Sequence, residues 1–190
     1  MEASLAGVDG YSVALVGEAL GDREAEAGKP FVGPAGFKLT RLIEWAGFDR
    51  GGFDIWNVAW CRPPGNLLEG QPYESESISH CRAQHWGGLP SRVRVVVPMG
   101  NVPLAAFTGR KGILSQRGYV TGGPNGTHLV PTVHPSFIRR GQSKYAAAFI
   151  HDIQKAVELA RTGLPIEVYS YLLDPTPIRA YEWAKGYRAA

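Results

Sequence analysis

Cysteine is the scarcest informative residue in this 190-residue chain: Cys61 and Cys81 are its only two. Two thiols cannot form a disulfide scaffold, and alone they cannot complete a four-thiolate metal site. In a cytosolic chain they are expected to be reduced. Long hydrophobic runs are also missing. The longest, "VALVG" and "VRVVVPMG", are far too short to span a bilayer, and "MEASLAGVDG" lacks the apolar stretch of a signal peptide. The expectation is a soluble protein of the cytoplasm with no membrane partner. Strong net charge is absent as well: Lys and Arg exceed Asp and Glu by only three. Yet two segments contain bases and no acid, "GRKGILSQR" (109–117) and "SFIRRGQSK" (136–144). Such segments can neutralise phosphates or simply form a solvated rim.

What is present is the composition of one globular domain, 44% hydrophobic and 19% charged. Strand-like and helix-like segments alternate. Strands are predicted at 11–17, 53–60, 92–99 and 127–134. Helices are predicted at 36–46, 74–86, near 101–107 and at 144–163, the last closed by Gly163. This rhythm predicts an α/β three-layer sandwich, a four-stranded parallel sheet between helices. The domain is expected to occupy 1–163, with 164–190 a tail or connector. In such sheets ligands bind beyond the carboxyl ends of the strands, where three unusual stretches fall: 17–36, 57–66 and 134–141.

The first, "GEALGDREAEAGKPFVGPAG" (17–36), has neither the Gly-Lys-Ser/Thr of a P-loop nor a G-x-G-x-x-G spacing. A nucleotide-binding domain is disfavoured accordingly. Its glycines let backbone approach a ligand closely, and Phe31, between Pro30 and Gly33, would offer a flat ring for stacking. The second, "VPTVHPSFIRRG" (130–141), ends a strand with His134, which can hydrogen-bond a developing anion. Ser136 and its backbone could hold a phosphate, with Arg139 and Arg140 adding charge. The third, "WNVAWCRPPGN" (56–66), puts Asn57 where a core residue is expected. Its amide could be satisfied by backbone or could read the edge of a base.

Together these stretches resemble the uracil-DNA glycosylase superfamily, most closely family 4. "GEALGDREAEAGKPFVGPAG" is similar to that family's GE(G/A)PG…GxPFVGxAG block, "NVAWCRPPGN" to its NVVKCRPPxNR block and "HPSFIRRG" to its terminal HP(S/A)…R block. The resemblance covers roughly residues 11–160 and implies an enzyme that flips uracil out of DNA and hydrolyses its glycosidic bond, initiating base excision repair. It implies that Phe31 stacks on uracil, that Asn57 reads its edge and that His134 stabilises negative charge at O2. Backbone at Gly17 and Ala19 would press against the base. Ala19 stands where other branches carry a water-activating Asp or Asn, so Glu24 is expected to orient water and Glu18 to serve as a structural or assisting carboxylate.

Departures from the family pattern are Leu20 for proline, Trp60 for the lysine before Cys61, and Leu67 in the NR pair. Family 4 enzymes also hold a [4Fe–4S] cluster on four cysteines. Cys61 and Cys81 match the latter two, and "MEASLAGVDGYS" has none. No cofactor is therefore expected, and packing through Trp60, His85 and Trp86 would take over the cluster's structural work. These departures leave open a catalytically silent DNA-binding module of the same fold. The aromatic, proline-containing stretch after Gly163 resembles a connector to a following module, with a DNA polymerase in a phage-like protein as the expected linked partner.

Overall fold

The computed structural model describes residues 10–85 and 89–163, with backbone alone for 82–85. The connector at 164–190 and the side chains of His85 and Trp86 lie outside the described residues. A strand β1 (Val13–Ala19) pairs in parallel with β2 (Asp54–Ala59) on one side and β3 (Val95–Pro98) on the other. Two two-residue strands, β4 (Thr121–Gly122) and β5 (His128–Leu129), complete the order β2-β1-β3-β5-β4.

The three layers follow from alternation along β1 and β3. Val13, Leu15, Val95 and Val97 face one core with Leu39, Leu42, Phe149 and Ile153. Ala14, Val16 and Val96 face the other with Val58, Leu68, Cys81 and Val102. Successive strand residues point to opposite faces, so a continuous apolar run marks a strand covered on both sides. The first face is covered by α2 (Pro34–Trp45) and α7 (Ala146–Thr162), the second by α3 (Glu74–His85) and α4 (Asn101–Thr108). The terminus of α7 is capped by Gly163 in the left-handed region, as expected.

Two expectations are corrected. The sheet has five strands rather than four, because Thr121–Gly122 adds an antiparallel edge against β5. The fourth expected strand, 127–134, contracts to His128–Leu129 followed by an isolated bridge between Met99 and Thr132. Pro131 interrupts it, since proline has no N–H for the ladder. Three short helices were not anticipated: α1 (Asp22–Ala27), α5 (Ile113–Gln116) and α6 (Pro135–Arg139).

Arg117 is a further correction. Its guanidinium, in a segment expected either to neutralise phosphates or to form a solvated rim, instead donates to both carboxylate oxygens of Asp152, at 3.0 and 2.6 Å, and to the Ala148 carbonyl. The Asp152 side chain is fully buried, and the Thr132 hydroxyl donates to it at 2.7 Å. Burial pushes the Asp152 carboxyl up, while Thr132 and Arg117 pull it back down. Removing one partner of such a pair strands the other charge. Asp152→Ala is expected to lower the unfolding free energy by about 3 kcal/mol in urea titrations; a change under about 1 kcal/mol would show the pair to be dispensable.

Candidate active site

The carboxyl ends of β1, β2 and β3 open into one cleft of about 680 Å³, within the size range of small-molecule sites. Its walls include Glu18, Ala19, Glu24, Phe31, Asn57 and His134. Phe31, Asn57 and His134 come from separate segments, and one missing side chain lets the first two meet. Gly17 pairs with Asn57 across the β1–β2 register. A Cβ at Gly17 would lie 2.5 Å from both Asn57 Oδ1 and Phe31 Cζ. The absence of that atom is therefore what admits the ring and the amide together. The Phe31 ring centroid lies 5.6 Å from that of His134, tilted by 33°. Phe31 is 4% exposed and Asn57 2%, so both are walls of the cleft rather than surface decoration.

His134 caps the N-terminus of α6. The Ser136 backbone N–H donates to Nδ1 at 3.2 Å, and Ser136 Oγ lies 2.7 Å from the same nitrogen. A nitrogen that accepts carries no proton, so the hydrogen of the neutral ring resides on Nε2. Burial, reinforced by the positive charge of Arg140, depresses the imidazole to about 4. The ring is thus a neutral hydrogen-bond donor at physiological pH. The Ser136 hydroxyl expected to hold a phosphate is placed against the ring it orients.

The two carboxylates differ. Glu24 is buried in α1, where Oε1 accepts the Gly33 N–H at 2.7 Å, so it is not a free loop acid but a tie across the 21–33 segment. Glu18, at the end of β1, is held above the usual carboxylate range. Desolvation is the main cause, Glu69 and Glu74 add to it, and the Glu69 backbone N–H and Arg140 oppose it. Sequence reasoning missed Glu69, which enters the cleft from the segment after Pro63–Pro64 and carries no motif signal. Asn101, another cleft residue, accepts from the N–H groups of Gly112 and Ile113 and fixes the turn before α5. Arg139 and Arg140, both exposed, form a basic rim on the His134 side.

The family 4 cluster requires four thiolates, and the described residues do not fit it. Cys61 Sγ and Cys81 Sγ lie 3.7 Å apart, with Cys81 Sγ also accepting from the Trp60 N–H. Among the described residues no group of three or more His, Cys, Asp or Glu side chains could hold a metal ion. Trp60 packs edge-on against Trp56, with centroids 5.9 Å apart.

Two outcomes follow from this geometry. Gly17→Ala forces Phe31 or Asn57 aside, so the sheet should still fold by circular dichroism while ligand affinity in the cleft collapses; an unchanged affinity would contradict the close approach. The raised Glu18 carboxyl binds its proton more tightly folded than unfolded, so its stabilising contribution is present at low pH and is lost as pH rises through the folded value. Glu18→Gln should accordingly raise the melting midpoint at pH 7, a gain that vanishes near about pH 4, where both proteins are neutral at this position. An equal gain at both pH values would locate the effect elsewhere.

Comparison with known proteins bears on the same residues. A family model described as the uracil DNA glycosylase superfamily matches residues 7–158. A type-4 uracil-DNA glycosylase of Thermotoga maritima is 33% identical over 152 residues, covering 76% of this chain and 75% of the relative. Type-4 enzymes of Pyrobaculum aerophilum and Saccharolobus solfataricus are 54% identical over 54 residues and 42% over 78. Those matches cover 28% and 37% of this chain, and 28% and 36% of the relatives. With the matched segment spanning the whole cleft, the chain belongs to the uracil DNA glycosylase superfamily.

Proposed function

We propose that this cleft receives a uracil extruded from DNA and hydrolyses its N-glycosidic bond, the opening step of base excision repair. The observation that carries the reading is the convergence of a ring, an amide and a neutral imidazole on one space. A base inside the duplex stack is unreachable, so the enzyme must accept it flipped out. Phe31 supplies a stacking face and Asn57 pairs with the edge of the base. Discrimination against cytosine follows from the amide, because a base with the opposite donor pattern leaves buried polar groups unmatched. Gly17 and the backbone at Ala19 let the base sit directly on the strand end.

As the bond from the sugar carbon to N1 breaks, its electron pair moves into the uracil ring and develops charge at O2. The Nε2–H of His134 donates to that oxygen. Being neutral, it stabilises the anion without needing to be protonated first. Water adds to the sugar carbon and surrenders a proton, which neutralises the departing uracil anion. Glu18, inside the cleft and poised above the ordinary carboxylate range, suits the role of orienting that water. Glu24 holds the 21–33 segment through Oε1 and, as a cleft wall, keeps the water-orienting role expected for it above. Arg139 and Arg140 face the flanking phosphates, and Ser136 keeps His134 in its tautomer. This is not the two-carboxylate chemistry of sugar glycosidases, because the leaving group departs as a stabilised anion.

The test is incubation with a uracil-containing oligonucleotide followed by alkaline cleavage at abasic sites. The wild type should cleave, and His134→Ala should be slower by about 10²–10³, the loss typical of one oxyanion donor. The ratio of wild-type to His134→Ala rates should stay flat from pH 8 down towards the imidazole's value of about 4, while both rates fall together as the raised Glu18 carboxyl takes up its proton. Binding without cleavage by either protein would instead favour the silent DNA-binding module.

A further inference from the structure

We infer that Arg50 is a positioning residue that sets the stacking platform from behind, an assignment that rests on the glycosylase reading above. Phe31 occupies the left-handed region at φ 56°, an unusual conformation for a bulky side chain that persists only where its surroundings over-determine it. The surroundings are a two-sided clamp. On one side Glu24 Oε1 holds the Gly33 N–H. On the other, Arg50 Nη2 donates to the Phe31 carbonyl at 2.8 Å, while Nη1 donates to Thr40 Oγ1 at 2.8 Å and to the Gly36 carbonyl at 3.3 Å. The Thr40 hydroxyl closes the circuit by donating to the same Gly36 carbonyl.

The turn leaves no slack. A Cβ at Gly36 would fall 1.8 Å from the Phe31 carbonyl oxygen, so that oxygen is wedged between helix α2 and the guanidinium. Arg50 is presented by a single 3-10 turn, Arg50–Gly52, whose N-cap Asp49 accepts from the Gly51 N–H at 2.9 Å. Among the described residues it forms no ion pair with a carboxylate, and its acceptors are neutral oxygens of the 31–40 segment. It is not one of the cleft walls. Its geometry therefore serves the shape of that segment. A planar fork reaches two acceptors at once; an ammonium on a flexible stem does not.

Arg50→Lys keeps the charge and loses the fork. Thr40→Val leaves Arg50 in place and removes the hydroxyl that receives Nη1. The measurement is the single-turnover rate of uracil release from a single-stranded oligonucleotide at saturating protein, together with the concentration of protein giving half the maximal rate. At saturation the rate constant does not depend on the fraction of protein that is folded, so lost stability alone leaves it unmoved. Arg50→Lys is expected to lower the saturating rate by about ten- to a hundredfold, the cost of a platform displaced by about an ångström. Thr40→Val is expected to lower it by a smaller factor. The half-saturating concentration should stay within about twofold, because phosphate contacts position the DNA independently. Saturating rates within twofold of the wild type for both variants would overturn the assignment. A wild type that releases no uracil would instead contradict the glycosylase reading and remove the basis of this one.

Discussion

The cleft depends on an atom that is not there. Asn57 lies beside Gly17 in the register of two adjacent parallel strands, and the Phe31 ring reaches the same place from a segment that has left the sheet and returned. Any side chain at position 17 would occupy the volume they share. A central strand whose residues Val13 to Val16 are wholly buried gives that position a fixed height, and strand pairing fixes its lateral place. The cleft walls are thus referenced to the buried centre of the sheet, while the basic rim lies exposed at the surface.

Rigidity at the centre is matched by polar groups that hold one another. Ser136 orients His134, Glu24 ties Gly33, and Asp152 joins Thr132 beyond β5 to Arg117 after α5. Each places a buried or half-buried polar atom against a partner, which a low-dielectric interior demands. The result is a neutral imidazole in the same cleft as an acid with raised proton affinity, two groups whose environments move them in opposite directions from their ordinary values. Such separation is common where acid–base work is done.

Much of this was legible in the sequence, for physical reasons. Apolar runs bounded by glycine and proline located β1, β2 and β3, and the glycines of 17–36 marked a backbone built for close approach. Phe31, Asn57 and His134 were identifiable because each is a chemically distinctive residue at a strand end or in a constrained turn. The edge strand Thr121–Gly122 was not, because two residues, one of them glycine, carry no periodicity. Helix α1 hid inside a glycine-rich stretch whose ends resemble a loop. The structural ties made by Glu24 and Arg117 were also illegible. An acid in a loop or a base in a basic run has no local signature of burial, which is decided by tertiary partners nine and thirty-five residues away. Arg50 belongs to the same class: its partners lie ten to nineteen residues away in a segment it never neighbours in sequence.

The most direct measurement is a crystal structure of the protein soaked with free uracil. The account predicts one uracil lying flat on Phe31, its edge paired with the Asn57 amide and its O2 within hydrogen-bond reach of His134 Nε2. A uracil bound away from these three side chains, or held edge-on to Phe31, would contradict it.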